Sequence, residues 1–302
     1  MSVLEHDTDR RPLAHQSYLF APGSRERVMI KALAAGADAV VLDLEDSVPA
    51  TEKDAARSAV SRVVAEHRPK GTPVHVRVNR EGDGYCTADL DAVVRPGLEA
   101  LRLPKAESAD AIAAASELVG RLERDRGLAA GSVRFYPTIE SAFGLVNAGT
   151  IARASARTEA LVFGEADFAA DIGLPEVTSF MPTLMARSTL VIESRAAGIG
   201  RPVDGAFTRL DDLAGLREHT EQVKKLGFGG KSAIHPSQLP IIHTAFQPTP
   251  AELEEAEAIL AASRDGGGVG VVEGRFVDPA IVAYAARIVE LANRSMRENR
   301  SE

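Results

Sequence analysis

The chain has 302 residues, 45 % hydrophobic and 26 % charged, a balance that fits one large β/α barrel or two ordinary domains. Its net charge of −8 and its lack of tryptophan argue against nucleic acid as the main partner, since phosphate binding needs positive surface and single strands need stacking platforms. The single cysteine, Cys86, excludes an intramolecular disulfide or a thiolate zinc cluster, and no apolar run is long enough to span a bilayer. A cytoplasmic protein with no membrane partner is the expectation.

Residues 1–15 are polar and charged, and read as a frayed tail with no apolar core of a signal. Eight short β-like runs then follow at 17–21, 39–44, 74–79, 100–103, 134–139, 160–164, 201–203 and 230–234, the seventh being the weakest. Most are continuously apolar, as expected for strands covered on both faces. Between them lie segments with helical spacing. In 28–35, Val28, Ile30, Leu33 and Ala34 recur at helical intervals and Gly36 supplies a stop; 107–124 and 185–197 behave similarly. Eight β/α alternations predict a closed (β/α)8 TIM barrel over 16–247. The alternative, an open doubly wound sheet, is weakened because no G-x-G-x-x-G follows an early strand.

After the eighth run the pattern changes. A charged helix over 249–263 leads into a glycine-rich hinge at 265–270, a short β-like segment at 271–277 and a final helix after Asp278. This tail, 248–302, exceeds what a barrel needs. It predicts a C-terminal helical/β arm or lid that packs on a neighbouring subunit.

In a β/α barrel the working face is the C-terminal edge of the strands. Those positions carry Arg25; Asp43, Glu45 and Asp46; Arg77 and Asn79; Lys105; Glu140; Asp167; and His235. Helix capping alone needs fewer ionisable groups on one rim. Glu140 and Asp167 each follow a strand-like run, and two such carboxylates suit magnesium, which keeps open positions for water and substrate. For either acid alone, capping of the next helix is the competing role. Arg77 is shaped for a carboxylate or a developing oxyanion, or alternatively for a buried ion pair with Asp43 or Glu45. Those two acids could order Arg77 and metal-bound water. His235 reads as a strand terminator, and Cys86 as a bystander.

The motifs Leu19-Phe20-Ala21-Pro22-Gly23-Ser24-Arg25, Val41-Leu42-Asp43-Leu44-Glu45-Asp46, Val76-Arg77-Val78-Asn79 and Leu103-Pro104-Lys105-Ala106-Glu107-Ser108 resemble the citrate lyase β-subunit family. So do Thr138-Ile139-Glu140-Ser141-Ala142, Gly164-Glu165-Ala166-Asp167-Phe168 and Gly230-Lys231-Ser232-Ala233-Ile234-His235-Pro236, all in family order. Gly274-Arg275-Phe276-Val277-Asp278 is similar to the C-terminal arm of the longer acyl-CoA lyases.

The resemblance implies a magnesium-dependent carbon–carbon lyase. Its substrate would be a short 3-hydroxyacyl-CoA ester, and its products an acyl-CoA and a keto acid. It implies Glu140 and Asp167 as metal ligands, Arg77 at the oxyanion, and Asp278 as an acid or base reaching a neighbour's site. Backbone amides of Glu165, Ala166 and Asp167 would hold the keto acid, and Arg25 and Lys31 would contact coenzyme A phosphates. A homotrimer or homohexamer is implied as well. Related aldolases for free 4-hydroxy-2-keto acids carry Gly-Glu-His after the second strand. Here that place reads Leu44-Glu45-Asp46, which favours the CoA-lyase side. A non-catalytic acyl-CoA-binding subunit is the reading from another class.

Overall fold

Eight parallel strands pair in chain order and close on themselves, so the predicted barrel is present. The computed structural model describes residues 15–66, 71–174, 180–266, 270–272 and 275–298. The strands are β1 (Ser17–Pro22), β2 (Ala39–Asp43), β3 (Val74–Arg77), β4 (Leu98–Leu103), β5 (Arg134–Ile139), β6 (Val162–Phe163), β7 (Val203–Asp204) and β8 (Gly230–Ala233). Helices α1 (Glu26–Leu33), α2 (Lys53–Glu66), α3 (Cys86–Val93) and α4 (Ala109–Asp125) follow the first four strands. After β5 come α5 (Ala142–Val146) and α6 (Ala148–Arg153), and after β6 come α7 (Glu165–Asp171) and α8 (Leu184–Ala197). The set continues with α9 (Leu213–Leu226) after β7 and α10 (Leu239–Phe246) after β8.

The strands differ from expectation at their ends. β7 starts at Val203 because Pro202 has no N–H for the ladder, and β6 pairs with it at a single position, Val162 with Val203. Helix starts follow local chemistry. Ser108 accepts from the amide of Ala111 (3.2 Å), Ser141 from Gly144 (3.0 Å) and Asp212 from Gly215 (2.7 Å), serving amides that have no intrahelical partner. Gly198 ends α8 in the left-handed conformation (φ 72°), which a β-carbon would resist.

The barrel lumen is filled by Tyr18, Ala39, Val41, Ala100, Tyr136, Ala160, Val162 and Val203, with Phe20 packed against them, so it is a core and not a pore. His15, assigned above to the tail, is instead buried, and its Nε2 bonds Glu99 at 2.8 Å. The imidazole is drawn in because it pairs a carboxylate at the start of β4.

The chain divides into two compact units between Ile242 and His243. Within the second, α11 (Pro250–Gly266) and α12 (Pro279–Glu298) pack through Ala256, Ile259, Val277 and Ala285. The β-like run expected at 271–277 is two antiparallel strands, β9 (Gly270–Val272) and β10 (Arg275–Val277). The centre of the expected hinge, 267–269, lies outside the described residues. Among the described residues no helix is long and apolar enough to cross a membrane.

Candidate active site

Pairing of β2 with β3 puts Asp43 opposite Arg77 at the C-terminal ends of the two strands. The Arg77 guanidinium donates to both Asp43 oxygens, Nε at 2.7 Å and Nη2 at 2.8 Å. Its Nη1 lies 3.0 Å from Glu45 and 3.1 Å from Asp46. Of the two sequence readings of Arg77, the ion pair is the one observed, and it holds the arginine on the working face. Asp43 also accepts from the amides of Glu45 (2.9 Å) and Ser47 (3.1 Å), which fixes the loop after β2. Despite its burial, the Asp43 carboxyl is held below its usual range by Arg77 and these amides. Glu45 behaves oppositely. Burial, reinforced by Asp46, Glu140 and Asp43, pushes it up to about 8 against the pull of Arg77. It is an acid that titrates near neutrality within reach of the rim.

Glu140 directly follows β5 and is buried, while Asp167, in the first turn of α7, is exposed. Glu140 accepts from the amide of Lys105 at 2.6 Å. That amide is presented by a left-handed backbone (φ 47°), the one such non-glycine residue among those described. Gly164 lets the backbone entering α7 pack against Glu140, because a β-carbon there would lie 2.6 Å from both Cβ and Oε2 of Glu140. Burial, with the nearby charge of Asp167, raises Glu140 to about 7. Asp167 has no hydrogen bond or ion pair among the described residues.

Two networks position these groups. Lys53 of α2, buried, donates to the carbonyls of Leu44 (2.7 Å) and Glu45 (2.8 Å) and to Asn79 Oδ1 (2.6 Å). Asn79 is in turn held by Asp89 of α3. On the other side, Glu165 binds Arg187 (2.9 Å) and Thr183 (3.0 Å), and Arg187 reaches Asp204 (2.9 Å), which also pairs with Lys231. The Glu165 side chain is thus committed to anchoring α7. What its turn offers a ligand are the backbone amides of Glu165, Ala166 and Asp167, which no intrahelical carbonyl can serve. Sequence reasoning passed over Lys53 and Arg187. Their signal was a cation on the apolar face of an amphipathic helix, which is ambiguous until the partner is seen.

The remaining predicted residues are dispersed. Arg25 precedes α1 and is exposed beside the rim, whereas Lys31 is in the last turn of α1. Six residues apart, the two sit roughly 9 Å along the helix and on different faces, so they do not form one phosphate patch. His235 is exposed and bonds Ser237 (2.8 Å), starting the turn 236–238, in line with its reading as a terminator. Asp278 belongs to the second unit, where its Oδ1 accepts from the amide of Ile281 at 2.9 Å and caps α12. A cavity of about 570 Å3 opens between α3 and α4, bordered at the rim by Asn79 and Lys105.

A closed barrel with an arginine and several acids on its C-terminal rim defines a β/α-barrel enzyme, and the description "C-C_Bond_Lyase of the TIM-Barrel fold" matches residues 181–294. The chain belongs to the HpcH/HpaI aldolase/citrate lyase family, whose model matches residues 16–236, and this membership makes it a carbon–carbon lyase. It is 32 % identical to the citrate lyase subunit beta of Haemophilus influenzae over 94 % of this chain and 98 % of that one. It is 35 % identical to the (3S)-malyl-CoA thioesterase of Cereibacter sphaeroides over 93 % and 97 %. Among solved structures, Mycobacterium tuberculosis CitE in complex with magnesium, acetoacetate and coenzyme A superposes with a TM-score of 0.78 at 30 % identity, covering 94 % of this chain and 100 % of that one.

Proposed function

We propose that the chain is a magnesium-dependent lyase that cleaves a short 3-hydroxyacyl-CoA ester, of citryl-, malyl- or citramalyl-CoA type, into an acyl-CoA and a keto acid. The observation that carries this reading is the meeting of Glu140, Asp167 and Arg77 on one rim.

The donor set fits a hard divalent cation. Glu140 is raised by burial and by Asp167, and Asp167 has no hydrogen bond or ion pair among the described residues, so a cation between them relieves both. Bound there by Glu140 and Asp167, magnesium would supply Lewis-acid polarisation of the substrate oxygens. The chain's own residues do the rest. The α7 amides hold the carboxylate of the keto-acid half. Arg77, immobilised by Asp43, faces the oxygen on which negative charge develops, a role often worth several kcal/mol. Glu45 takes the hydroxyl proton; the C–C electron pair then leaves as the thioester enolate, and the former hydroxyl carbon becomes the carbonyl of the oxo acid. Protonation of the enolate carbon completes the reaction. Asp278 is assigned that acid, delivered by a neighbouring copy in a homotrimer or homohexamer. Arg25 is assigned to a coenzyme A phosphate.

The test is a magnesium-dependent cleavage screen over short hydroxyacyl-CoA esters and free 4-hydroxy-2-keto acids, with the keto acid trapped and the acyl-CoA identified. Cleavage of a CoA ester that disappears in Asp167→Ala, with the fold retained, supports the reading; turnover that survives in that variant removes the metal assignment. Turnover of the free keto acids alone would make the protein an aldolase. The thioesterase relative favours a second outcome, hydrolysis, which appears as free CoA thiol and a hydroxy acid. Coenzyme A binding without any turnover would identify a non-catalytic subunit.

A further inference from the structure

Arg102, on β4, is a charge placed inside the barrel. It neighbours Arg77 in the strand register and is only 1 % exposed. Its guanidinium lies between two tyrosine rings, 4.3 Å from the centroid of Tyr18 and 4.5 Å from that of Tyr136. None of its three side-chain nitrogens has a hydrogen-bond partner among the described residues. The Tyr18 hydroxyl and His75 Nδ1 are orphaned too, and the His75 ring lies 5.6 Å from Tyr18 and 4.8 Å from Tyr136. Five of the nine buried side-chain polar atoms that lack a hydrogen bond among the described residues therefore share one chamber.

Water can satisfy N–H groups, but it does not balance a charge, and a buried unpaired charge is among the costliest features a fold can carry. Among the described residues none supplies a counter-ion. Glu99, a neighbour on β4, is engaged by His15 (2.8 Å) and His75 (3.3 Å). Asp43 is occupied by Arg77. A tyrosinate is also excluded: burial raises Tyr18 well above its ordinary range and Tyr136 up to about 12, so both rings stay neutral. The ring faces contribute a cation–π attraction but accept none of the in-plane N–H bonds. Burial and the proximity of Arg77 disfavour the charged guanidinium, yet an arginine does not give up its proton.

We propose that the lumen chamber formed by Arg102, Tyr18, Tyr136 and His75 is a binding site for a small inorganic monoanion of halide size. Arg102 provides the charge and the in-plane N–H donors. His75 gives its Nε2 proton to Glu99, so Nδ1 is an acceptor that a water of the ion's shell can serve. The site is built, not superficial, because Tyr18 and His75 are fully buried. The narrow spacing of the rings selects a monatomic ion over an organic carboxylate. The site sits beside Arg77 in the β3–β4 register, with Arg102 buried where Arg77 is part exposed.

The experiment uses the full chain and sodium bromide. Crystals grown or soaked in bromide, with data collected at the bromine absorption edge, are expected to show an anomalous peak at hydrogen-bond distance from the Arg102 guanidinium. In solution at constant ionic strength, replacing sodium methanesulfonate by sodium bromide or chloride should raise the Tm of the wild type. That halide-specific rise should vanish in Arg102→Met. Only anomalously silent density at the guanidinium, or the same halide effect in Arg102→Met, overturns the proposal. If Arg102→Met does not fold, the wild-type anomalous map decides alone.

Discussion

Arg77 and Asp43 meet fork to fork across the β2–β3 ladder, with both N–H···O distances under 3 Å (2.7 and 2.8 Å). The pairing fixes the plane of the guanidinium that the proposed mechanism needs. Asp43→Asn keeps the shape but turns one acceptor into a donor, so the fork cannot close. Under that mechanism, kcat on the accepted CoA ester should fall roughly ten- to a hundredfold, with KM changed far less and circular dichroism unchanged. A wild-type kcat in Asp43→Asn would show that Arg77 needs no fixing.

Magnesium binding is expected to weaken as the pH falls. Glu140, raised to about 7, must lose its proton to act as a ligand. Above pH 7 the carboxylate is already free; below it each binding event releases a proton, so affinity declines up to about tenfold per pH unit. Asp167→Asn removes one cause of the raised value and should move the titration of Glu140 to lower pH. Calorimetry between pH 6 and 8, in buffers of different ionisation enthalpy, reads the proton release. Constant affinity with no proton release would contradict the assignment of Glu140.

Lys105 carries its left-handed backbone to aim its amide at Glu140. A β-carbon in that region costs about 1–2 kcal/mol that glycine avoids. Lys105→Gly should therefore be more stable than Lys105→Ala by about 1 kcal/mol in urea denaturation, reversing the usual order of the two residues. The opposite ranking would mean the strain is absent.

Away from the site, Glu123 and Arg157 form a buried pair through two 2.6 Å contacts, and Glu123 also accepts from the amides of Gly131 and Val133. Arg157→Met strands the carboxylate and should cost about 3–5 kcal/mol of stability. The pH signature follows from the pair. These partners lower Glu123 to about 2 against the opposing effect of burial, from an ordinary 4.5. The unfolded chain therefore binds more protons between those values. The pair's contribution is complete above pH 4.5 and lost as the pH falls towards 2. Acid unfolding of wild type and Arg157→Met, followed side by side, checks this.

Asp278 can be tested for two separable roles. As the cap of α12 it should be replaceable by serine, while Asp278→Ala costs about 1 kcal/mol. As the proton donor of the proposed reaction it should not be replaceable by serine, which has no acidic proton near neutrality. Loss of turnover in Asp278→Ser with full thermal stability supports the catalytic role; full turnover in that variant assigns Asp278 to capping alone.

The sequence by itself determined the barrel, because eight apolar runs alternating with amphipathic segments leave few other ways to bury both faces of every strand. It also named the rim residues Arg77, Glu140 and Asp167, since a polar group at the end of an apolar strand stands out in one dimension. Strand ends such as Val203 were less legible, because they depend on which amide finds a neighbouring carbonyl.

Only the tertiary structure decided partnerships. Asp43 and Arg77 are 34 residues apart and meet by strand register. Lys53 and Arg187 proved to be anchors only once their partners on other elements were in place. Arg102 looked like an ordinary residue of the apolar run 100–103, until closure of the barrel placed its charge between Tyr18 and Tyr136 with no acid among the described residues to meet it. Periodicity records which face a side chain takes. What waits on that face is a property of the closed fold, because burial and charge act through space and not along the chain.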